Sequence, residues 1–428
     1  MTNDMTRGRI LPQLISFTIP LVLGNLFQLT YNAADSIIVG RYLGGQALAA
    51  VGTAGPIMNL AILFISGMCM GAGILMSTQY GAKQQDVLER QISTTLLSGL
   101  VFSFFVTLSM MVLAKPVLTL IRVPEEILDS ACGYLRIIFT GFLFTFAYNF
   151  FSSTLRALGD SKASLYFLVI SSVFNIAGDL LFVAVFRWGV NGSALATVLS
   201  QMICCLCCMI YIQKKVPLLR LGKRWLIFDK CLLSRTFSFG ITSALQLMCV
   251  QLGKVCVQSM VNMQGIAFMA AFTAVNRVDD FALTPQQNIA HAATTFMAQN
   301  KGAGQEKRMK QGFFCGVLVE LCYTAAVGIC VFLFAEPIMK LFLPEESAEV
   351  IVLGVTYLHL ISFLYLLSGS GNIVQGFFRG IGDLKVTLIS SLLNISVRVI
   401  AVFFMLQVSN GGFGCLAWAC CFGWISMN

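Results

Sequence analysis

Twelve stretches of mainly apolar residues follow one another along the chain, centred near Phe27, Leu63, Phe104, Leu143, Ser172, Ile203, Val250, Thr284, Ala326, Leu364, Leu393 and Trp418. A run of about 20 such residues matches the hydrocarbon thickness of a bilayer. Inside that layer every backbone N–H and C=O must be satisfied within the protein, which an α-helix does unaided. The chain is therefore expected to be an all-α integral membrane protein with twelve transmembrane helices. The twelfth is short, with only about 16 residues after Gly411–Gly412 against the ~20 a full crossing needs. Composition agrees: 11% of residues are charged and the mean hydropathy is +0.82, whereas soluble domains carry about a quarter charged residues. A soluble enzyme, a disordered tail and a nucleic-acid binder with a basic face are excluded.

Lysine and arginine fix an expected orientation. With the N-terminus inside, 19 of the 28 fall in inner segments, five in outer segments (Arg41, Lys115, Arg122, Arg187, Lys340) and four within spans. Positive charge is retained on the cytoplasmic side, so both termini are expected in the cytoplasm and the protein in the cell's inner (plasma) membrane. The run from MTNDMTRGRI (1–10) into some 25 apolar residues is too long for the core of a cleavable signal peptide.

The chain also repeats itself. RALGDSK (Arg156–Lys162) returns as RGIGDLK (Arg379–Lys385), AKPVLTLIRVPEE (Ala114–Glu126) as AEPIMKLFLPEE (Ala335–Glu346), and Tyr134–Leu135 as Tyr357–Leu358. Each pair lies six spans apart. An even number puts both copies on the same side of the membrane, which predicts two pseudo-symmetric six-helix bundles as parallel repeats. The expected bounds are an N-lobe over 1–213, a basic cytoplasmic connection over 214–235 and a C-lobe over 236–428.

Fifteen cysteines lie in apolar runs, and the cluster Cys204, Cys205, Cys207 and Cys208 has no histidine nearby. Such cysteines read as small apolar residues, so neither a fixed metal site nor a cofactor is expected. His291 and His359 lack any HExxH or GxSxG context, and no Walker loop is present. A membrane enzyme and an ATP-driven pump are therefore disfavoured, which leaves an ion gradient as the energy source and calls for ionisable groups inside the spans.

Asp35, Asp179, Asp279, Asp280 and Glu320 qualify. At about 1.5 Å of rise per residue, Asp35 lies roughly 30 Å along helix 1 and Asp179 roughly 24 Å along helix 5, both in the outer half. Asn175 shares the face of Asp179, four residues away. Thr197 on helix 6 and Tyr134 on helix 4 reach a similar depth. Two carboxylates in a poorly hydrated pocket cannot both stay ionised cheaply. The set can take a proton, or its oxygens can hold a transient Na⁺ at Asp35, Asn175, Asp179 and Thr197. Pro20, fifteen residues before Asp35, interrupts the helix-1 hydrogen-bond ladder and is the expected hinge.

The second half has no copy of this acidic set. With an offset near 222–223, Asn175 maps to Arg398 and Asp179 to Val402. Gln246, Lys254, Asp279, Asp280 and Arg398 are instead expected to line a C-lobe cavity. Arg277 and Asp280, three residues apart, either neutralise each other or face substrate. Glu320, read as close to the inner end of helix 9, is expected to snorkel to the interface.

QLTYNAADSIIVGRYLGGQALAAVG (Gln28–Gly52), the paired RxxGDxK motifs and the spacing Asn175–Asp179–Thr197 resemble the multidrug and toxic compound extrusion (MATE) family over almost the whole chain. Gln246 and Ser368 stand where the NorM-type branch carries acids, so the chain is more similar to the DinF-like branch. The resemblance implies a monomeric antiporter that exports organic, amphipathic cationic compounds by alternating access in exchange for H⁺ or Na⁺. Asp35, Asn175, Asp179 and Thr197, with Tyr134 nearby, match the family's N-lobe cation site, and Pro20 matches its helix-1 bend. Organic substrate and membrane lipid are the expected partners. A lipid-linked precursor flippase of the same broad superfamily is the alternative.

Overall fold

The computed structural model describes residues 4–216, 226–342, 348–408 and 412–428. Among them there are helices and no strand. In chain order they are α1 (Ile10–Gly81), α2 (Gln85–Leu120), α3 (Glu125–Thr140), α4 (Phe142–Ala157), α5 (Ser161–Asp179) with a π-helical extension (Leu180–Val185), α6 (Gly189–Lys215) and α7 (Lys230–Asn262). The series continues with α8 (Ile266–Gly302), α9 (Glu306–Leu333), α10 (Ala335–Phe342), α11 (Ala348–Gly380), α12 (Leu384–Val408) and α13 (Cys415–Met427). Eight helices are long and apolar enough to cross a membrane, and α3 with α4 forms one further span bent by 47°. The 72 residues of α1 are two crossings run together, divided at Gly44 (φ 80°, ψ −176°). With α8 and the short α13, these elements supply the twelve predicted helices.

Much of the connection 214–235, the PEE copy at 344–346 and Gly411 lie outside the described residues.

The RxxGDxK repeat is helix punctuation. Gly159 (φ +86°) ends α4 in the left-handed conformation. Its N–H donates to Arg156 O at 2.9 Å, and the Asp160 N–H donates to Leu155 O at 2.9 Å. That is the hydrogen-bond pattern of a Schellman motif. Asp160 then caps α5, its Oδ1 accepting from the Ala163 N–H at 3.1 Å, which leaves one fewer orphan donor at that end. The second copy is built alike, with Gly382 at φ +83°, Asp383 N–H to Phe378 O at 2.9 Å and Asp383 Oδ1 facing the Val386 N–H at 3.4 Å. The same turn joins α1 to α2 at Lys83 (φ 57°) and α8 to α9 at Gly304 (φ 67°). GAKQ (81–84) and GAGQ (302–305) are thus a further repeated pair.

The chain divides into two compact units, one comprising Ile19–Ala244 and the other Met5–Thr18 with Leu245–Asn428. These bounds differ from those read off the sequence at two places: the start of helix 1 belongs to the second unit, and the first nine residues after 235 belong to the first. Within the second unit the N-terminal segment is firmly held. The Arg308 guanidinium donates to the carbonyls of Met5, Arg7 and Gly8 and to Gln13 Oε1, while the Met5 N–H donates to Gln299 Oε1 at 3.0 Å.

Each unit packs its helices through small residues, as expected where lipid offers no hydrophobic drive between helices. In the first, Gly99 of α2 leaves space for the Phe146 ring of α4; a Cβ there would lie 1.9 Å from Cζ. Phe139, Phe150, Leu135 and Leu118 fill the core around it. In the second unit, α8 and α11 meet over Gly376-x-x-x-Gly380, where a Cβ on Gly376 would lie 2.6 Å from Ala290 O. Thr294 Oγ1 donates across that seam to Gly376 O at 3.1 Å. The outward faces are apolar, as on α2, where Val101, Phe104, Phe105, Leu108 and Val112 are exposed.

Gly376→Ala is therefore expected to cost about 1–3 kcal/mol through overpacking, lowering the melting temperature in detergent. Gly52→Ala, where a Cβ meets nothing within 4 Å, should leave it unchanged or slightly higher.

Candidate functional site

Two helix faces, each carrying polar residues four apart, create the polar pocket of the first unit. Asn175 and Asp179 share one face of α5; Ser193 and Thr197 share one face of α6. The two helices approach closely because Gly178 lies against Ala196 and Gly192 against the Phe182 backbone and Cβ, so that added methyl groups would lie 3.0 and 3.1 Å from their neighbours. Asn175 Nδ2 donates to Thr197 Oγ1 at 3.2 Å. At Asp179 the α-helical ladder gives way to the π-helical turns of Leu180–Val185, a local departure that recurs at functional sites.

Asp35 of α1 completes the group. Ser193 Oγ donates to its Oδ1 at 3.0 Å, and the Asp35 and Asp179 carboxyl groups are within interaction distance of each other, with Ser193 beside both. Tyr134 of α3 is 3% exposed and in electrostatic reach of both acids. Tyr31, one turn before Asp35, also senses it. Asp35, Asn175, Asp179, Thr197 and Tyr134 are thus gathered in one place, in the first unit.

The pocket's hydrogen-bond inventory is lopsided. Asp179 is fully buried, yet neither of its oxygens has a hydrogen-bond partner, and Asn175 Oδ1 is likewise unpartnered. Three enclosed acceptor oxygens without a partner cost free energy unless a proton or cation is shared among them. Thr197 also lines a small apolar pocket with Met58, Ile62, Phe139, Phe142, Thr145 and Gln201.

Pro20 is buried in α1, two residues past the point where that helix passes from the second unit to the first. The helix continues through it, and within α1 only Gly44 leaves helical φ/ψ.

The five second-unit residues expected in one cavity fall into three groups. Lys254 pairs with Asp280 at 3.0 Å, both partly exposed, so Asp280 has its ion-pair partner on α7 and not in Arg277 of its own helix. Asp279 is buried and accepts from Tyr365 at 2.7 Å and Tyr357 at 2.8 Å, with Arg398 close enough to act on it. Gln246 belongs elsewhere, donating to Gln375 Oε1 at 3.1 Å and Ser391 Oγ at 3.0 Å. Tyr357, the repeat copy of Tyr134, again stands beside an acid, but here that acid is already hydrogen-bonded and faced by a guanidinium.

Sequence reasoning missed Ser193, although it sits four residues before Thr197 and shares its face. It also missed Tyr31, whose i, i+4 relation to Asp35 was the available signal. Glu320 is corrected: it is fully buried in the second unit and does not snorkel.

Paired helical repeats around enclosed polar pockets are the construction of a membrane transporter, not an enzyme. The MatE family model matches residues 20–181 and 242–404. A probable multidrug resistance protein of Bacillus subtilis, YpnP, is 32% identical over 400 residues, covering 92% of this chain and 88% of the relative. A second from the same organism, YoeA, is 30% identical over 414 residues, with 95% and 89% covered. A solved outward-facing multidrug resistance MATE transporter of the MOP superfamily superposes with a TM-score of 0.93 at 21% identity, covering 100% of this chain and 95% of its own; it shows the same fold. The chain belongs to the MatE family and is a multi-pass membrane transporter.

Asp179→Asn adds a donor beside the unpartnered acceptors and removes one of two neighbouring carboxyl groups. It is expected to raise stability by about 1–2 kcal/mol, read as a higher melting temperature of the purified protein without added substrate.

Proposed function

We propose that the protein is a cation-coupled antiporter that exports organic, amphipathic cationic compounds by alternating access, with Asp35 and Asp179 as the coupling pair. The observation that carries this reading is the fully buried Asp179 carboxyl beside Asp35, with three unpartnered acceptor oxygens in the pocket. A proton makes one carboxyl a donor to the other. A Na⁺ would draw on the oxygens of Asp35, Asn175, Asp179 and Thr197. Either guest satisfies the acceptors, and its departure leaves them facing each other unpaired. Occupied and empty states therefore favour different arrangements of α1, α5 and α6, and that difference is what lets an ion gradient drive a conformational cycle.

Export of several organic compounds is supported by the relatives named as probable multidrug resistance proteins. We place the protein in the plasma membrane with both termini cytoplasmic, on the strength of the 19-to-5 division of basic residues.

The test is transport of a fluorescent lipophilic cation, ethidium, into inverted membrane vesicles under separately imposed proton and sodium gradients. Accumulation is expected with one gradient and not the other, which identifies the coupling ion. Asp35→Asn and Asp179→Asn should each reduce it at least about tenfold, a loss of ~1.4 kcal/mol or more of coupling. Accumulation that survives dissipation of both gradients would overturn the antiport mechanism, and full activity in both variants would overturn the site.

A further inference from the structure

Besides Asp279, the second unit buries one further acid among its described residues, Glu320, which the coupling site does not use. Glu320 stands 14 residues into α9 and two turns past Phe313, where the apolar run begins, so it lies about 10 Å inside that run. Its side chain has no exposed surface, and neither carboxylate oxygen has a hydrogen-bond partner. The space it occupies is made by α11: a Cβ on Gly369 would lie 3.0 Å from both Glu320 Cγ and Oε1 and 2.6 Å from Thr324 Cγ2.

Nothing around it offsets a negative charge. Among the described residues no charged side chain of α8, α10 or α11 acts on Glu320. Asp279 of α8 is taken up by Tyr357 and Tyr365, and the α10 pair Glu336–Lys340 is bonded to itself at the surface. Tyr323, on the same helix, is within electrostatic reach, but its hydroxyl donates to Ala282 O at 3.0 Å. An isolated ionised carboxylate enclosed in this way would cost many kcal/mol, whereas the neutral acid costs far less. Beside it, the Thr324 hydroxyl donates to Leu321 O at 3.1 Å and Gly369 brings no side chain, so neither supplies a donor to the carboxyl group.

We propose that Glu320 is a proton-binding site of the second unit, separate from the Asp35–Asp179 pair: it carries a proton while α9 and α11 are closed over it and exchanges that proton with water when their seam at Gly369 opens. The inference goes beyond the coupling assignment and stands whether the first unit takes H⁺ or Na⁺. Each opening of the seam would release one proton and each closure would rebind one.

The test is infrared difference spectroscopy of the full-length protein in lipid vesicles as the bulk pH is raised. A carbonyl band of a protonated carboxyl group is expected to decline with pH in the wild type, to be lost in Glu320→Gln and to persist in the Asp35→Asn/Asp179→Asn double variant. Gly369→Ala retains the acid but presses on it, and should shift the band without removing it. Wild-type and Glu320→Gln spectra that superimpose would overturn the proposal, as would a Glu320 band that no pH change alters. Loss of an additional band in the double variant bears on the first-unit pair alone, so the two readings fail separately.

Discussion

A backbone in hydrocarbon has nowhere to lose an unpaired N–H or C=O, and this one requirement orders the whole molecule. It makes every described membrane segment a helix and gives turns a precise hydrogen-bond pattern. Among the described residues, five connectors close with the same left-handed turn, at Lys83, Arg122, Gly159, Gly304 and Gly382, and two of them add an aspartate that caps the following helix. The same requirement accounts for helix contact through Gly99, Gly376 and Gly380. Where lipid is as apolar as leucine, close approach is gained by removing side chain rather than adding it.

The enclosed polar side chains differ in how they are partnered. Asp179, Asn175 Oδ1 and Glu320 are enclosed and unpartnered, whereas Asp279 is enclosed with two tyrosine donors. The two units have thus diverged in electrostatics while keeping a common frame. The repeat tyrosine stands beside an acid in each, but Arg398 occupies the position corresponding to Asn175. One unit keeps a pocket of bare acceptors. The other closes its principal acid with permanent partners and isolates a second acid on α9.

The fold was legible because bilayer thickness and helical rise leave few choices. The first-unit site was legible because i, i+4 spacing on single helices survives packing: Asn175–Asp179 and Thr197 could be placed before any contact was known. Ser193 and Tyr31 escaped because a serine or tyrosine in a span has bland uses, and only a partner across the interface separates one role from another. The second-unit charges stayed open for the converse reason: Lys254 and Asp280 come from different helices, and spacing along one helix offers Asp280 only the same-helix Arg277. Glu320 was misread because distance along a helix says nothing of which side faces lipid, and the open space at Gly369 is invisible until α11 is laid against α9.

A strip near the amino terminus does not belong to the first unit. Fourteen residues, Met5–Thr18, fold with the second unit, anchored on Arg308 and Gln299, before the chain enters the first. The ancestral halves are thus no longer separable by a single cut. A split between Val216 and Leu226 would leave the amino-terminal fragment carrying a piece of its neighbour and the carboxy-terminal fragment without it, so complementation of the two fragments would have to begin by reclaiming that borrowed strip.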